Sequence, residues 1–206
     1  MTKTKRQIID TARQLFNQRG LRNTTLRDVA AALGKSYGNV TYHFANKEVL
    51  LEALYEGYLE ELQEIGTRIR TQLGEGLDRF LAAPSLTFEL AWRYLFFSVD
   101  YVELRRHFPR LVERMLQEQH ARKQIWLGAL RTLQAEGFLR ADLGGEELDY
   151  LMELSGVVRT FFFQQISGES ASDPEAIRGR YLRFVNQLLW PYLSAVGRER
   201  YRALGF

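Results

Sequence analysis

The sequence predicts an all-α protein, and three observations lead to this fold class. Apolar residues recur at the three- and four-residue spacing of helices along nearly the whole chain. No segment sustains the alternation of apolar and polar residues that is typical of a half-buried strand. Only four prolines occur in 206 residues, and few prolines allow long helices because proline breaks the helical hydrogen-bond ladder. We expect about nine helices, arranged as a three-helix N-terminal head, a connecting helix and a C-terminal bundle.

The first helix of the head is predicted from a single apolar stripe. Ile8, Ala12, Leu15 and Phe16 share one helical face. Gly20 follows as the predicted C-cap, since glycine adopts the left-handed conformation at little cost.

The next two helices form a helix-turn-helix pattern. Thr25 is a predicted N-cap, with Asp28 three residues later in the position of a capping box. After about nine residues Gly34 ends this helix, and Ser36 caps the following one. A short helix, a glycine turn and a second short helix are typical of DNA-binding heads.

The third helix is polar and aromatic on its predicted outer side. Val40 and Phe44 are four residues apart and are expected to face inward. That spacing turns Tyr37 and Tyr42 outward, where their hydroxyl groups could contact DNA. Gly38 has no side chain and would allow the backbone to approach DNA closely. Packing of the rings within the head is the alternative.

The charge is distributed unevenly along the chain. Residues 1–50 contain nine Lys or Arg and three Asp or Glu, a net charge of +6, whereas the whole chain carries only +3. A basic N-terminal quarter on a mildly acidic remainder favours contact with a polyanion such as nucleic acid.

Beyond the head the sequence predicts long helices rich in aromatic residues. A connecting helix begins at about Asn46 and fades near residue 66 or 73. Four further helices are expected, at about 86–104, 109–136, 146–165 and 174–196. A polar linker at 167–173 separates the last two.

The head resembles one known family. The run TTLRDVA at residues 24–30 and the run GKSYGNVTYHFANKE at residues 34–48 closely resemble the signature of TetR-family regulators. The preceding helix, with Ala12 and Phe16, also matches. This likeness covers about the first 55 residues and is specific in composition, spacing and order; the remainder matches in length and helical character.

The resemblance implies a transcriptional regulator, by family habit a repressor. It would bind a palindromic DNA operator as a homodimer through residues 1–47, and a small hydrophobic or aromatic effector would release it. Residues 48–206 would bind that effector, and the last two long helices would form the dimer. The implied DNA-binding residues are Thr25, Arg27, Ser36, Tyr37, Gly38, Asn39, Thr41, Tyr42, His43 and Lys47.

Within this set the resemblance implies distinct roles. The recognition helix from Ser36 to His43 would lie in the major groove, Arg27 would reach a base edge or a phosphate, and Lys47 would contact phosphate. Two residues depart from the family pattern. Thr41 stands where a tyrosine is frequent, and Lys35 stands where an apolar turn residue is common, so an operator sequence cannot be transferred from relatives.

The resemblance also suggests an effector pocket in the bundle, which aromatic walls would suit. The candidate residues are Trp92, Phe96, Tyr101, Trp126, Arg159 and Phe162. Ordinary core packing is the alternative for each aromatic residue. Arg159 is costly in so apolar a helix unless it is paired. It could form an internal ion pair with Glu153, Asp100 or Glu103, or it could orient an anionic ligand. We slightly favour the internal pair.

The sequence lacks the features that are typical of several other classes of protein. The chain has no cysteine, and its three histidines lack metal-ligand spacing, so we expect no metal and no cofactor. It contains no glycine-rich phosphate loop and no nucleophile elbow, so we expect no enzyme. We expect a cytoplasmic protein, associated with the nucleoid when bound to DNA. A non-specific architectural DNA-binding protein without an effector is the alternative function.

Overall fold

A computed structural model describes residues 2–166 and 173–206 of the chain. Within these residues the all-α prediction is confirmed, although there are eleven α-helices rather than about nine. The helices are α1 Lys3–Arg19, α2 Leu26–Ala32, α3 Tyr37–His43, α4 Lys47–Gln72, α5 Gly76–Arg93, α6 Phe96–Val99, α7 Tyr101–His107, α8 Pro109–Ala135, α9 Gly145–Ile166, α10 Pro174–Gln187 and α11 Ala195–Ala203. The polar linker predicted at 167–173 lies, except for Asp173, outside the described residues.

The single helix predicted over residues 86–104 is wrong, because this region contains α5, α6 and α7. Helix α5 begins ten residues earlier than expected and continues through Pro84. An internal proline costs about 3 kcal/mol. Leu77 and Leu81 are buried on the same helix, and burying a leucine contributes about 1.5–3 kcal/mol, so packing offsets that cost.

The last predicted helix is also wrong in length, since α10 ends at Gln187 instead of near Val196. Pro191 lies four residues later, where its ring would clash with the Gln187 carbonyl if the helix continued. A short 3-10 turn over Trp190–Tyr192 follows. Helix α11 then begins beyond Ser194, whose hydroxyl accepts a hydrogen bond from the Gly197 amide at 3.0 Å.

The chain divides into two compact units. The first comprises the chain up to Gln63 together with Leu90–Arg114. Its core contains the predicted stripe of α1, the inward residues of α3 and the start of α4: Ile8, Ala12, Leu15, Phe16, Val40, Phe44, Leu50, Leu51 and Leu54. The functional boundary predicted at Lys47 therefore falls inside this unit.

The second unit comprises Glu64–Glu89 and Met115–Phe206. Leucines from α5, α8 and α9 form most of one core cluster, and Tyr201 of α11 completes it. The buried side chain of Asn186 donates to the Leu81 carbonyl oxygen at 3.0 Å, one turn before Pro84. This unit holds half of the candidate effector residues.

None of the helices described has the length and apolar character needed to cross a bilayer.

Candidate nucleic-acid interface

A complete capping box fixes the start of α2. The Thr25 hydroxyl oxygen accepts from the Asp28 amide at 3.3 Å, and the Thr25 amide donates to the Asp28 carboxylate at 2.7 Å. The Thr25 hydroxyl also donates to the Asp28 carboxylate at 2.6 Å, and this hydrogen bond, followed by the one from the Thr25 amide, lowers the pKa of Asp28. The predicted cap is confirmed, and it sets the direction from which α2 leaves the preceding turn.

The turn between α2 and α3 follows the predicted pattern. Gly34 has a φ of 60°, a left-handed conformation that other residues adopt at a cost. Two residues later the Ser36 hydroxyl accepts from the Asn39 amide at 3.2 Å and caps α3. Local sequence signals thus account for both ends of the turn.

Helix α3 points nearly all its side chains away from the core. Val40 is its one buried residue, and the adjoining Phe44 is also buried, as predicted. Tyr42 is 86% exposed. The remaining candidate DNA-binding residues are all at least partly exposed. Six are exposed: Thr25, Arg27, Ser36, Tyr37, Gly38 and Asn39. Three are partly exposed: Thr41, His43 and Lys47.

Arg27 and Tyr37 form a pair that the sequence did not predict. The Arg27 guanidinium lies 4.8 Å from the centre of the Tyr37 ring, within cation–π range. The contact joins α2 to α3 at the surface. It restricts the rotamers of a long side chain that is expected to reach DNA.

Thr41 contributes differently from the other polar residues of α3. Its hydroxyl donates to the carbonyl oxygens of Tyr37 and Gly38 at 3.1 and 3.3 Å. A hydroxyl engaged by its own helix is less available to a phosphate. Next to it, the rings of Tyr42 and His43 meet edge to face at 5.2 Å.

Lys47 connects α4 to the end of α1. Its ammonium group donates to the Leu21 carbonyl oxygen and lies 5.5 Å from the centre of the Phe16 ring. Burial lowers the pKa of Lys47, an effect opposed by Glu103, Asp100 and other acids. An ammonium group has three donors, so this contact leaves capacity for a phosphate.

Sequence reasoning missed two residues that anchor α1 within the first unit. The Asn17 side chain donates to the Arg93 carbonyl at 2.8 Å and accepts from the Phe96 amide at 3.0 Å. Asp100 accepts from the Leu21 amide at 2.8 Å. Asn17 thereby satisfies backbone groups where α5 ends and α6 begins. Its polar side chain near the end of α1 was the available signal, but a partner 79 residues away is not visible in local sequence.

The six candidate effector residues lie in both units. Trp92, Phe96 and Tyr101 belong to the first unit, where Phe96 packs on Phe16 with ring centres 5.3 Å apart. Trp126, Arg159 and Phe162 belong to the second. The Trp126 ring meets the Phe80 ring at 5.4 Å. Phe162 is buried beside Tyr181 at 5.3 Å.

The favoured internal ion pair of Arg159 is not found among the described residues. Lys123 binds Glu153 at 3.2 Å, the Leu21 amide donates to Asp100, and His107 lies 3.4 Å from Glu103. The three carboxylates therefore have other partners. Arg159 instead donates through Nε to the Ser155 hydroxyl at 3.1 Å.

Residues 2–166 and 173–206 contain no group of three or more His, Cys, Asp or Glu side chains that could hold a metal ion.

Two family models match nearly the whole chain. The model described as "Bacterial regulatory proteins, tetR family" matches residues 8–54. A second, described as "Bacterial transcriptional repressor", matches residues 57–201. The first covers the helices of the head, and the second covers most of the remainder.

Individual relatives agree with these matches. The repressor KstR2 of Mycobacterium tuberculosis is 29% identical over 142 residues, covering 66% of this chain and 70% of its own. The structure of a TetR-family regulator from Marinobacter aquaeolei superposes with a TM-score of 0.84 at 23% identity, covering 98% of this chain and 97% of that one. A regulator from Saccharomonospora viridis in complex with choline gives 0.72 at 20% identity, covering 94% and 100%. The chain therefore belongs to the TetR family and is a DNA-binding transcriptional repressor.

Proposed function

We propose that this repressor binds a palindromic operator as a homodimer, with α3 in the major groove, and that a small-molecule effector releases it. The observation that carries the proposal is the outward orientation of α3. Seven residues bury only Val40 and present hydroxyl, amide and imidazole groups to solvent. Such groups contact base edges and phosphates. The protein would act in the cytoplasm, on the nucleoid when bound, and without catalysis.

The contacts we propose follow from the position of each side chain. Asn39 is exposed in the first turn of α3 and suits bidentate contact with an adenine edge. Tyr42 and Lys47 would bind phosphates, Lys47 with the donors that Leu21 leaves unused. Arg27, held against Tyr37, would reach a base or a phosphate. The remaining candidates, Thr25, Ser36, Gly38, Thr41 and His43, would shape the same surface.

A second copy of the chain is proposed to cover an apolar stripe on α9. Tyr150, Val157 and Phe161 lie on one side of that helix and are exposed. Phe184 of α10 is also exposed and lies beside Phe162 at 6.2 Å between ring centres. Large exposed apolar patches usually mark interfaces. A two-fold dimer through α9 and α10 also matches the two half-sites of a palindrome.

The effector proposal draws on the family. A relative of the same fold has been solved with choline bound, so small molecules are bound by proteins of this shape. An effector must bind the non-DNA form more tightly than the DNA-bound form, or it shifts nothing. Residues 48–206 are proposed to carry this role.

Selection of binding sites from random DNA tests the proposal. We expect enrichment of one palindrome, and a preference over competitor DNA of about a thousandfold or more at fixed salt. A stoichiometry of two or four chains per site would agree with dimers. Binding that depends on salt and hardly on sequence would instead favour the architectural alternative.

Two variants test the phosphate contacts. Tyr42→Phe and Lys47→Ala should weaken binding to all sequences, and Lys47→Ala should reduce the salt slope by about one. Lys3→Ala, on the exposed first residue of α1, is the control for loss of one positive charge. If the affinity and slope of both variants equal those of the control, the assignment is wrong.

The dimer is tested by charge placed on the stripe. Phe161→Glu should produce monomers in sedimentation and lose operator binding, because a buried unpaired carboxylate is strongly unfavourable. Ile125→Glu, at an exposed position of α8, should leave the oligomer unchanged. A dimer that survives Phe161→Glu places the interface elsewhere.

A further inference from the structure

Arg159 lies on the inner face of α9, opposite the exposed apolar stripe. It is nine residues beyond Tyr150, about two and a half turns, and so points the other way. Its neighbours on that face, Ser155 and Phe162, are buried. A cation is thus directed into the second unit, from a helix whose remaining charged residues are all acidic: Glu146, Glu147, Asp149 and Glu153.

Arg159 contacts hydroxyl groups, and aromatic rings pack against one of these partners, Tyr181. Ser155 accepts from Nε, and the buried Tyr181 hydroxyl also interacts with the guanidinium and with Thr87. The rings of Phe162 and Phe163 lie 5.3 and 5.4 Å from the Tyr181 ring. Burial raises the pKa of Tyr181, which keeps its hydroxyl protonated at neutral pH.

No carboxylate within the described segments 2–166 and 173–206 lies at ion-pair distance from Arg159. The nearest candidates on its own helix, Asp149 and Glu153, both bind Lys123. Arg159 is partly exposed, and neutral hydroxyls offset only part of the cost of removing the rest of its guanidinium from water. A guanidinium has five N–H donors in a planar fork, so two hydroxyl partners leave donors for a further acceptor.

Gly156 leaves space on the turn of α9 that precedes Arg159. A Cβ atom added at Gly156, three residues before Arg159, would meet only the Gln119 side-chain nitrogen at 3.9 Å. Gly156 therefore offers a position at which the local volume can be reduced without changing Arg159.

We propose that Arg159 binds the carboxylate of an organic acid with an apolar body, and that this acid is the effector of the repressor. The planar fork of Arg159 matches a carboxylate in two parallel hydrogen bonds. The Tyr181 hydroxyl lies beside that fork, and the rings of Phe162 and Phe163 offer apolar surface for the body. The inference rests on the proposed release of DNA by an effector, and it adds the chemical class of that effector.

The test compares ligands that share a skeleton and differ in charge. We would titrate the full-length protein with 4-phenylbutyrate, octanoate, and the corresponding alcohols 4-phenylbutanol and octanol, and follow melting temperature and calorimetric heat. At least one acid should bind at least about tenfold more tightly than its alcohol, the usual scale for a charged hydrogen bond. It should also weaken operator binding. Equal binding of acid and alcohol, or no binding by either acid, overturns the proposal.

Variants locate the carboxylate. Arg159→Gln should lose about tenfold or more in acid affinity and little in alcohol affinity, whereas Arg159→Lys should be intermediate because it keeps charge without the fork. Gly156→Leu should weaken both ligands by filling space. Arg178→Gln removes a partly exposed arginine that pairs with Glu175, and it should bind the acid like the wild type. Unchanged acid affinity in Arg159→Gln would contradict the assignment.

A structural role for Arg159 is distinguished by the ligand-free protein. Within residues 2–166 and 173–206 Arg159 has no carboxylate partner, and replacing such a cation with an apolar side chain of similar length should not destabilise the fold, so Arg159→Met should melt at or above the wild-type temperature. If Arg159 instead has a structural role, the Arg159→Met variant should melt below the wild-type temperature. Operator binding without ligand should persist in every Arg159 variant. If the wild-type protein without ligand does not bind an operator, the proposed function itself is contradicted.

Discussion

Helices α3 and α9 use their side chains in opposite ways. The seven residues of α3 include one buried residue, whereas α9 buries six of its twenty-two and packs two aromatic rings, Phe162 and Phe163, against Tyr181. Helix α3 depends on the Ser36 cap and on contacts with α2, so its outer face is free for DNA. Helix α9 depends on packing, so a charge on its inner face is costly. The difference separates residues that we propose to bind DNA from residues that stabilise the fold.

The largest expected effect is loss of stability when an aromatic ring of α9 is removed. Phe163→Ala deletes a buried ring that contacts Phe88 at 5.7 Å and Tyr181 at 5.4 Å. The free energy of unfolding should fall by about 3–5 kcal/mol. Tyr42→Ala in α3 should change it by less than about 0.5 kcal/mol, because the ring is exposed, yet should weaken DNA binding. Chemical denaturation measures both, and similar losses in the two variants would contradict the contrast.

A smaller effect is expected at the cap of α3. Ser36→Ala should lower the free energy of unfolding by about 1 kcal/mol, because the Asn39 amide loses its side-chain acceptor and keeps only the Ser36 carbonyl oxygen at 3.1 Å. Ser36→Asp should restore the cap while weakening operator binding, since the added carboxylate faces the phosphates. Denaturation and gel shift together separate the two roles of Ser36. Full operator binding by Ser36→Asp would mean that α3 begins away from the DNA.

The smallest effect concerns the exposed carboxyl group of Asp28. Hydrogen bonds from Thr25 lower its pKa in the folded protein. The stability it contributes is therefore present above its unfolded pKa of about 3.9 and is lost as pH falls through the folded value. NMR titration should find the pKa of Asp28 below the ordinary value for an aspartate, and Thr25→Ala should raise it. An unchanged pKa in that variant would show that the capping box does not persist in solution.

The same contrast explains which features could be predicted from sequence. The head was predicted in detail because Thr25, Gly34 and Ser36 act on residues within a few positions of themselves. The break between α5 and α6 was not predicted, since no proline or glycine marks Tyr94 and Leu95. Asn17, 79 residues from Phe96 in sequence, supplies the hydrogen bonds there.

Other errors have different physical origins. The early end of α10 could have been predicted from Pro191, whose effect on the preceding turn is local. The partners of Arg159 could not, because the three candidate carboxylates proved to have other partners: Glu153 binds Lys123, Asp100 accepts from the Leu21 amide, and His107 lies against Glu103. The DNA-binding residues remain predictions, since exposure and orientation do not identify what a surface binds.

The most direct test of the account is the sequence preference of an Asn39→Ala variant. Binding-site selection would be repeated with this variant and with the wild type at the same salt concentration. We predict that the variant relaxes discrimination at one base pair in each half-site, by about 1–3 kcal/mol, and keeps the preference elsewhere. An unchanged preference at every position would contradict the placement of α3 in the major groove.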